Sequence, residues 1–280
     1  MFPCRWIRES NVSSRQCNSL GMGCRESCLL SSSCSNSESH NLAQTPSRIG
    51  FRKTYWDSVF WKIQTRNLDY YRLFIEHSHH YTYYEPIHID PSSDILLHGH
   101  FESAEYFDRY RNQILELFSL PPHYQRYVDT YFTRLTKRIK GPFVSLHIRR
   151  DDFVTAPDPN DLCLWKDEFK HYFVKAFNLL PQPCTLIVFS DDPVWSQNFI
   201  SLLFPKVKAL FPRDEDFIEL YLMAKCDHHI IANSTFSWWG AYLNKNPNKI
   251  VIAPKQWTIK PDRRSLIMKN WIAIDLTDSK

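Results

Sequence analysis

Residues 143–152 read Phe-Val-Ser-Leu-His-Ile-Arg-Arg-Asp-Asp. An apolar run of strand length stops abruptly in four charges. A strand buried on both faces, with its charge held to one end, is what a parallel sheet presents. The same texture returns downstream. TLIVFS (185–190) stops in Asp191-Asp192-Pro193, HHIIAN (228–233) leads through a turn into the helical FSWWGAYLN (236–244), and KIVIAP (249–254) is a fourth strand. Between them WKDEFKHYFVKAFNLL (165–180) and DEDFIELYLMAKC (214–226) read as helices. Strand, loop and helix in alternation predict an α/β fold, a parallel sheet with helices on both faces. Such sheets take ligands at the carboxyl ends of their strands, and the polar residues cluster there.

Gly141-Pro142 marks the start of this region, so 141–280 is expected to form one domain. Upstream, ILLHGHF (95–101) reads as a short strand with a turn, and SAEYFDRYRNQILELF (103–118) and HYQRYVDTYFTRLTKRI (123–139) as amphipathic helices. Residues 49–140 are aromatic-rich and ask for a core. Residues 1–48 are serine-rich and lack periodicity; they are expected to be disordered or weakly structured. The chain has 8 cysteines, and Cys4, Cys17, Cys24, Cys28 and Cys34 lie in that opening stretch. The body is therefore no disulfide framework. Cys24 and Cys28 could be half of a zinc site, but no histidine follows at ligand spacing. His77, His79 and His80 read as solvated.

With 280 residues, 43% hydrophobic and 15% aromatic, the chain can bury a substantial core. A net charge of +4 suits an anionic small ligand and is too weak to argue for nucleic acid, for which no binding motif occurs. No run reaches the roughly 18–20 apolar residues of a membrane span, and the opening residues carry no signal-peptide core. A cytoplasmic location is the default expectation, with peripheral membrane association compatible with it.

Three strand-end clusters carry the candidate chemistry. At His147-Ile148-Arg149-Arg150-Asp151-Asp152, an arginine fork matches phosphate oxygens and keeps its charge. Alternation along the strand sets His147 and Arg149 on one face, and Ile148 and Arg150 on the other. One arginine is expected to meet ligand while the other pairs with Asp152; the alternative is a surface salt-bridge loop. In the second cluster, Asp191 or Asp192 could accept hydrogen bonds from guanine, or could cap the next helix. In the third, Asn233-Ser234-Thr235 opens a helix whose first N–H groups favour a diphosphate, while Trp238 and Trp239 read as core. Arg213-Asp214-Glu215-Asp216 contains an Asp-x-Asp that could hold a divalent ion, or simply place acids in a first helical turn. No glycine-rich phosphate loop occurs: beyond Gly50 only Gly99, Gly141 and Gly240 are present.

Taken together, VSLHIRRDDF (144–153), FSDDP (189–193) and LMAKCDHHIIANSTFSWWGAYLNKNPNKIVIAPKQW (222–257) resemble the α-1,2-fucosyltransferase family, glycosyltransferase family 11, and HGHFESAEYFDRYRNQI (98–114) adds to the likeness. The resemblance spans 96–257 well and 51–95 loosely. It implies a GT-B-like architecture of two Rossmann-like halves, with 49–140 the remainder of an incomplete acceptor-side half and 141–280 the GDP-sugar half. It implies inverting transfer of L-fucose from GDP-fucose to a hydroxyl of a galactose-containing acceptor glycan, with no cofactor and no metal. By motif it puts Arg149 or Arg150 on the β-phosphate with His147 nearby on the nucleotide. Asp191 or Asp192 falls in the base-associated block, and Ser234 and Thr235 in the phosphate-associated block. Asp152 is the candidate general base, or a group that only orients the arginine.

Two departures stand out. The family usually reads His-x-Arg-Arg-Gly-Asp-Tyr, and here Asp151 replaces the glycine and Phe153 the tyrosine. Loss of that glycine is expected to cost backbone freedom, and a further carboxylate near a diphosphate is unfavourable. Nothing in residues 1–50 matches the family's opening Gly-Gly-Leu-Gly-Asn-Gln loop, which reads as a replaced or frame-shifted opening. Such a loss favours a catalytically impaired relative that still binds GDP-sugar or glycan.

Overall fold

A computed structural model describes residues 29–31, 44–47, 50–53, 55–66, 72–75, 95–98, 101–155, 157, 162–259 and 266–277. The readings placed on Cys4, Cys17, Cys24, Cys28, Cys34, His77, His79 and His80 lie outside these residues. By its contacts the chain divides into two units, Met1–Pro121 and Pro122–Lys280.

In the first unit the described strands are short: β1 (Leu29–Ser31), β2 (Gln44–Ser47), β3 (Gly50–Lys53), β4 (Gln64–Arg66), β5 (Arg72–Ile75) and β6 (Ile95–His98). They pair as three separate ladders, β1 with β4 and β5 with β6 in parallel, β2 with β3 antiparallel. Two of these strands fall in the serine-rich opening, where little regular structure was expected. The periodic stretch 103–118 is not one helix. It forms two 3₁₀ turns, Ala104–Tyr106 and Asp108–Tyr110, before α1 (Arg111–Leu117) begins. Ser103 caps the first turn from its side chain, and the helical path breaks at Phe107, whose φ of −137° lies outside the helical range. The aromatic stretch at 55–62 packs on α1: Phe60 meets Phe118 edge-on with centroids 6.0 Å apart. The Trp61 indole donates to the Ser119 carbonyl at 2.7 Å, and Lys62 pairs with Glu116.

The second unit starts with α2 (Pro122–Thr136), earlier than the Gly141 boundary read from the sequence. There follow β7 (Phe143–Ile148), α3 (Asp151–Thr155), α4 (His171–Asn178), β8 (Thr185–Ser190), α5 (Pro193–Leu203) and β9 (Ala209–Leu210). The chain closes with α6 (Asp216–Ala224), β10 (His228–Ile230), α7 (Thr235–Leu243), β11 (Val251–Pro254) and β12 (Ile272–Ile274). The six strands form one sheet in the order β12-β11-β10-β7-β8-β9, every pairing parallel. The α/β reading holds. From β7 the chain builds outward through β8 and β9, then returns to the other side of β7 with β10. The strand order thus reverses between β7 and β10, and that reversal is where an open α/β sheet forms its ligand crevice.

Alternation along β7 divides two environments. Val144, Leu146 and Ile148 join Leu186, Val188, Tyr172, Phe173 and Ile200 in the main core, with Trp165 and Trp195 packed against it. Ser145 and His147 face the other way. The fully buried Tyr172 hydroxyl donates to the Ile231 carbonyl at 2.6 Å, satisfying a main-chain acceptor just past β10. His229 is also fully buried. It accepts at Nε2 from the Asn244 amide, and its Nδ1 lies 2.7 Å from the Ser145 hydroxyl. Asn244 keeps that orientation because its carbonyl oxygen takes the Asn246 N–H. The ring therefore bears its proton on Nδ1 and is neutral, and burial drives its pKa down to about 3.

α6 and α7 approach each other at Gly240, buried within α7 as are Trp238 and Trp239. A Cβ built there would meet Met223 Sδ, and Cγ at 2.9 Å. Gly240→Ala gains about 1 kcal/mol of helix propensity but overpacks a contact worth roughly 1–3 kcal/mol. Denaturant titration should therefore show a net loss of stability, reduced when Met223→Ala is added. A second outcome concerns pH. His229 in the unfolded chain titrates near its ordinary 6.5, while the folded ring resists protonation down to about 3. Stability should accordingly fall as pH drops below about 6.5, by up to about 1.4 kcal/mol per unit from this group. Imidazole NMR at pH 5 should find His229 still neutral.

Candidate active site

The strand-end loops of β7 and β8 are joined by two ion pairs that follow the same odd and even alternation. Arg149, on the His147 face, donates from Nη1 to Asp191 Oδ2 at 2.8 Å. Asp191 Oδ1 accepts the Arg150 backbone N–H at 2.8 Å. One carboxylate thus fixes a guanidinium on one residue and the main chain of the next. Arg150 projects to the opposite face. Its Nε lies 3.1 Å from Asp192 Oδ2, and its guanidinium carbon sits 3.9 Å from the Trp195 ring centroid and 4.4 Å from that of Trp165. Asp192 is also the N-cap of α5, accepting from the Trp195 N–H at 3.1 Å. The capping alternative is therefore the one Asp192 realises.

The pairing of one arginine with Asp152 falls on a side chain outside the described residues; among those described, Arg150 pairs with Asp192 in the neighbouring loop. The side chains of Asp151 and Asp152 lie outside the described residues. Their backbone opens α3, and Arg150 O accepts the Val154 N–H. Asp151 therefore sits in a right-handed helical turn, where glycine's freedom is not required and an acid in the first turn is favoured.

His147 lies between Arg149 and the third cluster. It is 5% exposed, and its ring centroid is 5.5 Å from that of Phe236 in the first turn of α7. Burial, and then the neighbouring Arg149 charge, push its pKa down to about 3, so the imidazole is neutral. Its Nδ1 is buried and has no hydrogen-bond partner among the described residues. The start of α7 is built locally. Ser234 is the N-cap, accepting the Phe236 N–H at 3.3 Å, and Ser237 bonds the Ala232 main chain. The buried Asn233 amide donates to Leu162 O and Trp257 O, each at 2.9 Å, tying three loops together. Thr235 is the first residue of the helix. His147, Arg149, Asp191, Ser234 and Thr235 thus gather around the β7/β10 reversal, while Arg150 and Asp192 stand behind it.

Sequence reasoning missed two features. Trp165 and Trp195 enclose Arg150, and the only sequence signal was an aromatic beside each loop. Arg213 donates to the Ser190 carbonyl at 2.8 Å and lies 3.6 Å from Glu219, a carboxylate 6% exposed. Burial raises Glu219 to about 7 against the opposing Asp214 N–H bond and the Arg213 charge. A lone acid in the otherwise apolar FIELYLM of α6 was the available clue. Asp216 falls in the first turn of α6 and accepts the Phe217 N–H, while Asp214 precedes the helix and accepts the Glu215 N–H and the Tyr127 hydroxyl. Among the described residues no helix is long and apolar enough to cross a membrane.

Known proteins share this arrangement of sequence. The glycosyl transferase family 11 model matches residues 58–275. An O-antigen biosynthesis glycosyltransferase, WbnK of Escherichia coli, is 33% identical over 184 residues, covering 63% of this chain and 59% of that protein. An alpha-1,2-colitosyltransferase of Escherichia coli is 28% identical, covering 63% and 61%. A bovine galactoside 2-alpha-L-fucosyltransferase is 25% identical, covering 55% and 43%. The chain thus spans about 60% or less of the length of these relatives. With its family match running through both strand-end loops and the start of α7, the chain belongs to glycosyl transferase family 11.

Proposed function

We propose that this chain transfers L-fucose from GDP-fucose to a hydroxyl of a galactose-containing glycan, O2 by the family's habit, with inversion and without a metal ion. The observation that carries the reading is the Arg149–Asp191 pair at the end of β7, with His147 of the same strand face packed against Phe236 in the first turn of α7. When the glycosidic bond breaks, negative charge develops on the departing diphosphate. Fixed donors aimed at that charge stabilise the transition state without reorganising. Arg149 supplies a permanent cation whose direction Asp191 sets, and the first N–H groups of α7 supply a partial positive charge. His147, neutral and with Nδ1 uncommitted among the described residues, offers one more polar contact to the nucleotide. In this reading Arg149 is the β-phosphate arginine, and Ser234 and Thr235 line the diphosphate seat. Asp191 acts through Arg149, and Asp192 through α5 and Arg150.

Support for the sugar is uneven among the relatives: one name specifies fucose on a galactoside, another colitose. The donor sugar is therefore the first thing to assay. A second reading, nucleotide binding without transfer, is favoured by one observation, that the family match begins only at Ser58. Calorimetry with GDP, beside a transfer assay with GDP-fucose and simple galactosides, separates the two.

With an added chelator, fucosyl transfer should continue at an unchanged rate; loss of activity restored by a divalent ion would overturn the metal-free reading. Arg149→Ala should lower kcat by about 100-fold or more, the usual cost of one charge-stabilising donor, and weaken GDP binding. Near-normal turnover by Asp152→Asn would exclude that side chain as general base.

A further inference from the structure

We infer that Trp165 and Trp195 are positioning residues: by packing two mutually inclined rings against Arg150 they fix the direction in which Arg149 presents its guanidinium. The inference rests on the reading of Arg149 as the phosphate ligand and adds what holds that ligand in place.

Two adjacent arginines end β7, and the sequence alone allows either to face an anion. Their surroundings differ. The Arg150 side chain is 12% exposed. Trp195 covers one side of its guanidinium, 3.9 Å from the ring centroid, and Trp165 lies at 4.4 Å. The two indoles are steeply inclined to each other, at 71° with centroids 5.7 Å apart. Trp195 is in turn stacked on Phe199 one turn along α5, at 4.8 Å and 19°. A cation desolvated against two indoles is held well beyond what an exposed contact gives. The edge of the same fork meets Asp192, whose other oxygen caps α5. Arg150 is thereby riveted to α5.

The consequence passes along the main chain. Arg150's own N–H is one of the hydrogen bonds that aim Asp191, and Asp191's other oxygen holds Arg149 Nη1. Release of the Arg150 side chain loosens its backbone N–H, then Asp191, then the guanidinium across the strand. Transition-state stabilisation by a fixed charge depends on its being held before the charge develops, so a small misdirection of Arg149 costs turnover more than folding. Trp165 is the cleaner of the two to alter, because Trp195 also carries the α5 cap contact through its N–H and the stack on Phe199.

The test uses Trp165→Leu, which removes one side of the clamp, and Trp165→Phe, which retains an aromatic face. Two readouts are taken on the full chain. In arginine side-chain NMR, Trp165→Leu should shift and broaden the Nε–Hε resonance of Arg149 as well as that of Arg150, and Trp165→Phe should largely restore both. In calorimetry with GDP, Trp165→Leu should weaken binding about ten-fold in the native background and produce no further loss when Arg149→Ala is already present. An equal loss in both backgrounds would mean that Trp165 acts independently of Arg149, and would overturn the inference. So would an Arg149 resonance untouched by Trp165→Leu. Should the native chain bind no GDP at all, the functional reading fails, while the NMR comparison still decides whether the clamp orients Arg149.

Discussion

One carboxylate, Asp191, holds the two central strands of the site in a common geometry. It reaches from the end of β8 to the end of β7, taking the Arg149 guanidinium on one oxygen and the Arg150 N–H on the other. Both bonds involve an ionised acceptor in a partly buried setting, where such bonds are short and strong. Remove the carboxylate and Arg149 keeps its charge but loses its direction. The sheet below supplies the rigidity this requires. β7 and β8 pair over all six residues, from Phe143↔Thr185 to Ile148↔Ser190, so the two loops leave the sheet side by side.

Parity then explains why neighbouring residues do different work. Even positions of β7 enter the main core with Tyr172 and Phe173, and Arg150 continues that line toward α5 and its tryptophan. Odd positions run through Ser145 against His229 to His147 against Phe236, and Arg149, next on that face, meets Asp191. The same parity reappears after β8, where Ser190 bonds Ser196 of α5 and Asp192 caps that helix while Asp191 crosses to Arg149. The crevice side and the anchoring side are thus set by strand geometry.

This is also why part of the site could be read from the sequence and part could not. The strands 143–148 and 185–190 are apolar runs of the right length, and charges at their ends locate the carboxyl edge without coordinates. His147 and Arg149 were placed on one face by alternation alone. What alternation cannot supply is the partner across a loop. Asp152 is near Arg150 in sequence, yet Asp192 is its counter-ion, because parallel pairing brings residue 150 beside residue 192. Glu219 was hidden for a related reason. Its α6 is buried around nearly its whole circumference, so apolar periodicity carries no directional signal, and its neighbour Arg213 reaches it from a loop. The stretch 103–118 shows the opposite failure, where a good helical period is broken at Phe107, whose backbone leaves the helical range.

The electrostatics of the crevice favour an anion even though every arginine already has an acid near it. Arg149, Arg150 and Arg213 face Asp191, Asp192 and Glu219, which would cancel if all six were ionised. Glu219 is not a full charge near neutral pH, since burial raises it to about 7, and the two acids at 191 and 192 sit among N–H donors that absorb part of their charge. Among these six groups the balance therefore leans positive. The start of α7 adds to it, and the buried His147 stays neutral, adding neither charge nor competition. Positive potential that comes from oriented, pre-paired groups is retained when a ligand excludes water, whereas a cluster of unpaired lysines would relax around it. On the proposed reading, a diphosphate leaving group would develop its charge where such fixed donors already point.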